Sequence, residues 1–207
     1  MKRLLLIPIL VVLFLGSLFA NNITFTGGRT SLQSQGDLQV ITLSQGARVT
    51  SDAIVLSSDT IVLSGEEFRY VRCTGNVRLI DEERNLSLET TRLFYDREKE
   101  EVLIDGYFEL DDPLNELIAR GFGLEYLIDS EEITLSAEAH LEKHTSKGVM
   151  MCRADLMNFD RKAMKLILSG NAQVRWANDV YEAQSISVDL DKEAISAEGS
   201  IRGVING

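Results

Sequence analysis

Four aspartates each stand ten residues before a glycine or alanine: Asp96 and Gly106, Asp129 and Ala139, Asp160 and Gly170, Asp189 and Gly199. Apolar residues lie one and three positions before each Asp: Tyr95 and Leu93, Ile128 and Tyr126, Phe159 and Met157, Val188 and Ile186. Two more lie six and eight positions after it: Val102 and Ile104, Leu135 and Ala137, Leu166 and Leu168, Ile195 and Ala197. A unit that recurs about every thirty residues constrains the fold more than composition does. Self-similarity at that period marks a stacked, quasi-one-dimensional architecture, in which function belongs to the stack and not to one pocket.

Inside each unit the apolar positions run at period two, the strand period. Short charged runs (Arg97 to Glu100, Ser130 to Glu132, Arg161-Lys162, Leu190 to Lys192) separate two such strands and read as turns opened by the Asp. The chain is therefore expected to be a run of consecutive antiparallel strands. Small residues also stand six positions before Asp129, Asp160 and Asp189 (Gly123, Ala154 and Ala183), with Thr90 at the same place before Asp96. In a hairpin they fall nearly opposite the small residue ten positions after the Asp, offset by one. That offset predicts a bulge on the strand before the Asp and a line of sharp bends along the stack. The sheet would fold along it into a V, or half-open barrel, with an apolar interior.

Met1 to Ala20 has the pattern of an export signal: basic Lys2 and Arg3, an apolar run from Leu4 to Leu15 apart from Pro8, then Gly16-Ser17-Leu18-Phe19-Ala20 as a cleavage region with Leu18 where a small residue is usual. The same stretch is just long enough to remain as a single-span anchor. About 190 residues follow, enough for one domain. The expected division is 1–20 signal or anchor, 21–45 N-terminal extension and 46–207 β domain, the unit around 46–75 being a degenerate cap. The net charge is −11 with the leader in place, which argues against nucleic acid or an anionic membrane surface as partner. Two cysteines in an exported chain invite a disulfide. Cys73 precedes the first regular unit and Cys152 lies in the third, so stacking places them several strands apart as separate buried thiols.

Segments such as Gly75-Asn76-Val77-Arg78-Leu79, Leu93-Phe94-Tyr95-Asp96 and Val102-Leu103-Ile104-Asp105-Gly106 resemble the OstA-like family of periplasmic lipopolysaccharide-transport proteins. Gly170-Asn171-Ala172-Gln173-Val174, Ile186-Ser187-Val188-Asp189 and Ala197-Glu198-Gly199 carry the same likeness, which covers roughly residues 46 to 203. The family includes the soluble bridge protein LptA and the anchored LptC. The resemblance implies an all-β β-jellyroll whose trough holds the acyl chains of lipopolysaccharide, with its sugars outside. It also implies head-to-tail stacking of like jellyrolls between the two membranes, with no cofactor.

The residues supply a matching stripe. Tyr95, Val102, Ile104, Phe108, Leu135, Leu141, Phe159, Leu166, Leu168, Val174, Val188 and Ile195 are expected to face inward as a lipid-binding trough. Lipopolysaccharide or another glycolipid is the expected cargo. The same pattern also fits a closed core that binds nothing, and residues alone favour that version. The strand-like end from Ser200 to Ile205 has no cap and offers an edge to a partner strand. It would equally suit a frayed terminus.

No catalytic constellation stands out. His140 and His144 alternate with Glu138 and Glu142, which on a strand spreads them over an outer face instead of gathering them round a metal. Ala137, Ala139 and Leu141 would then point inward. Asp111-Asp112 before Pro113 reads as a loop opening, and Trp176 as packing at the sheet rim. A nucleophile with an activating base is not evident, so an enzyme is not expected.

Overall fold

The computed structural model describes residues 23–35 and 38–204; the leader and residues 205–207 lie outside them. The architecture is one antiparallel sheet in which nearly every strand pairs with the next in sequence. The strands are β1 (Ile23–Thr26), β2 (Arg29–Gln35), β3 (Leu38–Ser51), β4 (Ile54–Ser64), β5 (Tyr70–Asp81), β6 (Leu86–Asp96) and β7 (Glu101–Asp112). They continue as β8 (Leu117–Leu127), β9 (Glu132–Thr145), β10 (Gly148–Asp160), β11 (Lys165–Trp176), β12 (Asp179–Asp189), β13 (Ala194–Glu198) and β14 (Arg202–Val204). This is the bent antiparallel sheet that the repeat implies, and the all-β jellyroll that the resemblance implies. Residues 38–45 belong to β3, and β1 and β2 extend the sheet beyond it.

Two of these pairs of strands are halves of one bent strand. β1 pairs with the second half of β3 and β2 with its first half. At the other end, β13 and β14 pair with the two halves of β12 in the same way. Each level of the stack is thus a strand with a bend in its middle.

The bends share one construction. Between β3 and β4, Gln45 and Gly46 oppose Asp59 alone; between β5 and β6, Gly75 and Asn76 oppose Thr91. The same two-against-one count puts Gly106-Tyr107 against Phe122, Ala137-Glu138 against Asp155, and Gly170-Asn171 against Gln184. The extra residue falls on β3, β5, β7, β9 and β11, and in the regular units this is the strand after the Asp turn, not the one before it as the spacing predicts. Backbone conformation explains the difference. Gly75, Asn76, Gly170 and Asn171 have φ of 77, 45, 73 and 47°, a left-handed pair that Gly and Asn enter most readily. The Gly-Asn dipeptides of β5 and β11 therefore decide which strand bulges. Their Asn side chains tie the crease to the neighbouring strand, Asn76 Nδ2 donating to Asp59 at 3.0 Å and Asn171 Nδ2 to Asp155 at 2.9 Å.

The turns form two rows. One holds residues 65–69, 97–100, 128–131, 161–164 and 190–193; the other holds 52–53, 82–85, 113–116, 146–147 and 177–178. Neighbouring turns within a row are stitched by backbone bonds, as in Arg97 N to Arg69 O at 2.9 Å and Leu190 N to Met164 O at 2.8 Å. The repeat aspartates shape the first row. Asp96 Oδ1 accepts from Glu98 N and Lys99 N, Asp160 Oδ1 from Ala163 N and Asp189 Oδ1 from Lys192 N.

Because each strand bends, the two limbs of the sheet face each other and their inward side chains make one core. Leu63, Val71, Leu79, Leu88, Val102, Phe108, Tyr126, Leu141, Leu166 and Val188 belong to it, running from β4 to β12. Cys73 on β5 and Cys152 on β10 are separate, buried thiols, each pushed up to about 12 by burial. Ala139 and Leu141 point inward as expected, but Ala137 is exposed because it lies in the left-handed bulge.

Candidate functional site

The expected trough residues come together on the inner face of the folded sheet. Tyr95, Val102, Ile104, Phe108, Leu135, Leu141, Phe159, Leu166, Leu168, Val174 and Val188 all lie at or below 4% exposure. Ile195 is the exception: it is half-buried against the core on β13, at the C-terminal end of the stack. Together they form a continuous apolar interior, and it is filled by its own side chains.

What covers the interior is a seam between the two turn rows. At the β3 end, Arg97 Nε donates to Ser51 Oγ at 3.0 Å while its Nη1 donates to Glu67 O at 2.8 Å. In the middle lies a buried ionic group. Arg161 Nε and Nη2 donate to the two oxygens of Asp112 at 2.7 and 3.1 Å, and Arg161 Nη1 donates to Glu131 at 2.6 Å. Arg161 Nη2 also reaches Arg84 O at 2.8 Å. Arg84 in turn contacts Asp81 at 3.3 Å and Glu131 at 3.5 Å, and Tyr126 OH donates to Asp81 Oδ2 at 3.0 Å.

The electrostatics match this geometry. Burial alone would lower the Arg161 guanidinium, and Asp112 and Glu131 more than reverse that. Burial, then the Asp81 carboxylate, pushes the Tyr126 phenol far up, so it stays a neutral donor. Asp112 and Asp81 are fully buried, and a buried charge persists only when paired.

The seam weakens toward the C-terminal end. There the two rows meet through Lys147 and Glu193 at 3.5 Å, with the lysine side chain largely exposed. Lys147 Nζ also sits 4.4 Å over the Trp176 ring, whose Nε1 donates to Thr145 Oγ1 at 3.0 Å. Trp176 packs at the rim, as its isolation in the sequence implies.

Among the described residues, both ends of the stack are open edges. On the first, Phe25 and Leu32 are exposed; on the last, Ile201 and Val204 are. β13 and β14 carry no further strand on their outer side among the described residues, so their free backbone groups face outward.

The seam residues are absent from the expected trough, although the sequence held a signal for two of them. Arg97 and Arg161 each directly follow a repeat Asp, and that place points a long cation across the mouth. Asp112 and Glu131 look like ordinary turn residues, and only the fold brings them to Arg161. His140 is exposed and pairs in register with Arg120 and Arg153 on the outer face. No described helix is long and apolar enough to cross a membrane.

The folded sheet, crease and apolar interior define a β-jellyroll class of protein. Among solved structures the chain is similar to LptH, described as the LptA-homologous periplasmic component of the conserved lipopolysaccharide transport device of Pseudomonas aeruginosa. The similarity covers 90% of this chain and 96% of that one, at 12% sequence identity and a TM-score of 0.30. No protein-family model and no curated protein sequence matches the chain. At that identity and TM-score, the functional reading rests on this chain's own geometry.

Proposed function

We propose that this is an exported lipid carrier, holding the acyl chains of lipopolysaccharide or another glycolipid between its two limbs and passing them along a head-to-tail stack in the periplasm. One observation supports it above the rest: a single apolar interior runs the length of the sheet and ends, among the described residues, at two uncapped edges. Closed monomeric cores do not ordinarily end on free strands, because free strands invite association. Chains would enter where the limbs are least joined, at the Lys147–Glu193 end, displacing self-packing with acyl packing of similar burial. Whether residues 4–20 are cleaved or stay as an anchor divides an LptA-like bridge from an LptC-like component; that segment lies outside the described residues.

The filled interior favours a second reading, an envelope scaffold that stacks but carries nothing. A photo-crosslinking side chain at Ile195 separates the two. This position is half-buried at the open end, whereas Leu166 and Leu168 are sealed and a bulky probe there would overpack the core. Glycolipid adducts are expected from the exported protein in its native envelope. Adducts to protein alone would establish the scaffold. Removing residues 200–207 deletes β14 and is expected to abolish concentration-dependent association through that edge; unchanged association would place the contact elsewhere.

A further inference from the structure

The outer face of the sheet carries a second candidate site, opposite the mouth and independent of the interior. At the crease near the C-terminal end lies a cleft of about 690 Å³. Its origin is the break in the last strand. β13 stops at Glu198, β14 starts at Arg202, and Gly199 between them has a φ of 90°. Residues 199–201 leave the register of β12, so Ala183 and Gln184 have no partner residue on that side and line the cleft.

The cleft is polar, and its groups are ordered in space. Arg153, Gln173, Glu182 and Arg202 stand on four successive levels in direct register, one long polar side chain per level. Asp155 and Asn171 line the crease beside them, and Glu138 closes one side. Two of the carboxylates are already engaged: Asp155 accepts from Asn171 at 2.9 Å, and Glu182 from Gln173 Nε2 at 2.7 Å. Among the described residues, neither Arg153 nor Arg202 has an ion-pair partner, although the chain is acidic overall. Two guanidinium forks without partners, set on either side of amides and carboxylates, are an incomplete hydrogen-bonding set.

We propose that this cleft binds an acidic sugar, as a segment of a linear glycan whose units each carry hydroxyls and a carboxylate. The lining selects this class over its competitors. A bare polyanion would meet Glu138, Asp155 and Glu182 along with the two arginines. An apolar ligand would strand every polar group in the cleft. A sugar acid gives its carboxylate to a guanidinium, bidentate if the fork is aligned, and its hydroxyls to the amide and carboxylate oxygens. Levels about 4.8 Å apart also match, to first order, the advance of an extended pyranoside chain per ring, so successive rings would meet successive side chains. The volume accommodates a short oligosaccharide.

The test is titration of the mature protein with hexagalacturonate, with cellohexaose as the uncharged control and inorganic polyphosphate as the sugar-free anion. Binding is read by calorimetry and by backbone amide shifts. Hexagalacturonate is expected to shift amides around 153–155, 171–173, 182–184 and 200–202, with cellohexaose at least tenfold weaker. The double variant R153Q/R202Q, changed only at exposed side chains, is expected to lose binding at least tenfold. Shifts mapped on the unmutated chain keep the test decisive if that variant folds poorly. Absence of binding at millimolar hexagalacturonate would overturn the proposal, as would equal binding of cellohexaose. Polyphosphate binding as tightly as the uronate would reduce the site to a basic stripe and overturn it too. Lipid capture at Ile195 reads the interior alone, so either result can fail without the other.

Discussion

Replacing Arg161 with alanine strikes the seam at its buried centre. The guanidinium makes four bonds in all, two to Asp112, one to Glu131 and one to Arg84 O, and its side chain is 8% exposed. Asp112 is fully buried, so the substitution leaves a carboxylate with no cation inside the fold. Removing one partner of such a pair costs about 3–5 kcal/mol. The loss is read from urea unfolding as a lower midpoint with an unchanged slope. The double variant R161M/D112L removes both charges and fills the space with apolar atoms. It is expected to recover most of the loss, because paired apolar replacements of buried ion pairs are often neutral or stabilising. A loss below about 1 kcal/mol for R161A alone would show the pair behaving as an exposed one and refute the closed seam. K147A, which breaks the exposed end of the seam, is expected to cost less than about 1 kcal/mol.

Three further outcomes follow from the geometry. The Arg69 guanidinium, donating to both oxygens of Asp96 at 2.8 and 2.7 Å, holds that carboxyl below its ordinary value. Its contribution to stability is therefore complete above the unfolded pKa of about 3.9 and is lost as pH falls further. Urea midpoints measured from pH 7 down to pH 3 should fall less steeply in R69M than in the unmutated chain; identical slopes would remove the coupling. Gly170→Ala places a Cβ at φ +73° and 2.6 Å from Asp155 Oδ2, so thermal denaturation should register a destabilisation of at least about 1–2 kcal/mol. Cys73 and Cys152, buried and with thiols pushed up to about 12, should resist a maleimide at pH 8 in the folded protein and label in urea. Fast labelling of the folded chain would mean that the limbs part readily.

The parts of this fold legible in the sequence are those fixed by local chemistry. Alternation gave the strands, and the Asp residues gave one row of turns. The pairing of Phe159 with Leu166 and of Met157 with Leu168 followed from counting outward from Asp160. The crease was legible as a line of small residues, but its bulged strand was not. That choice depends on φ at Gly75-Asn76 and Gly170-Asn171, a property of dipeptides which a hydropathy pattern does not see. The inward stripe is a set of neighbours in and against the core. Whether it stands open or filled depends on Arg161 meeting Asp112, residues 49 positions apart whose contact exists only once the sheet has folded over. The outer cleft was hidden for a similar reason. Arg153 and Arg202 look like unrelated surface charges until the register sets them on nearby levels.

The bulges fall on alternate strands and the two turn rows alternate with them, which makes the molecule a ruler with a fixed division. Inserting or deleting a single strand would move every later bulge to the wrong strand and swap the two turn rows, severing the seam. A pair of strands can be added or lost without either fault. At about 4.8 Å per strand the described stack is roughly 50 Å long, and its relatives should differ from it in steps of about 10 Å. The length of the stack is then set by counting hairpins.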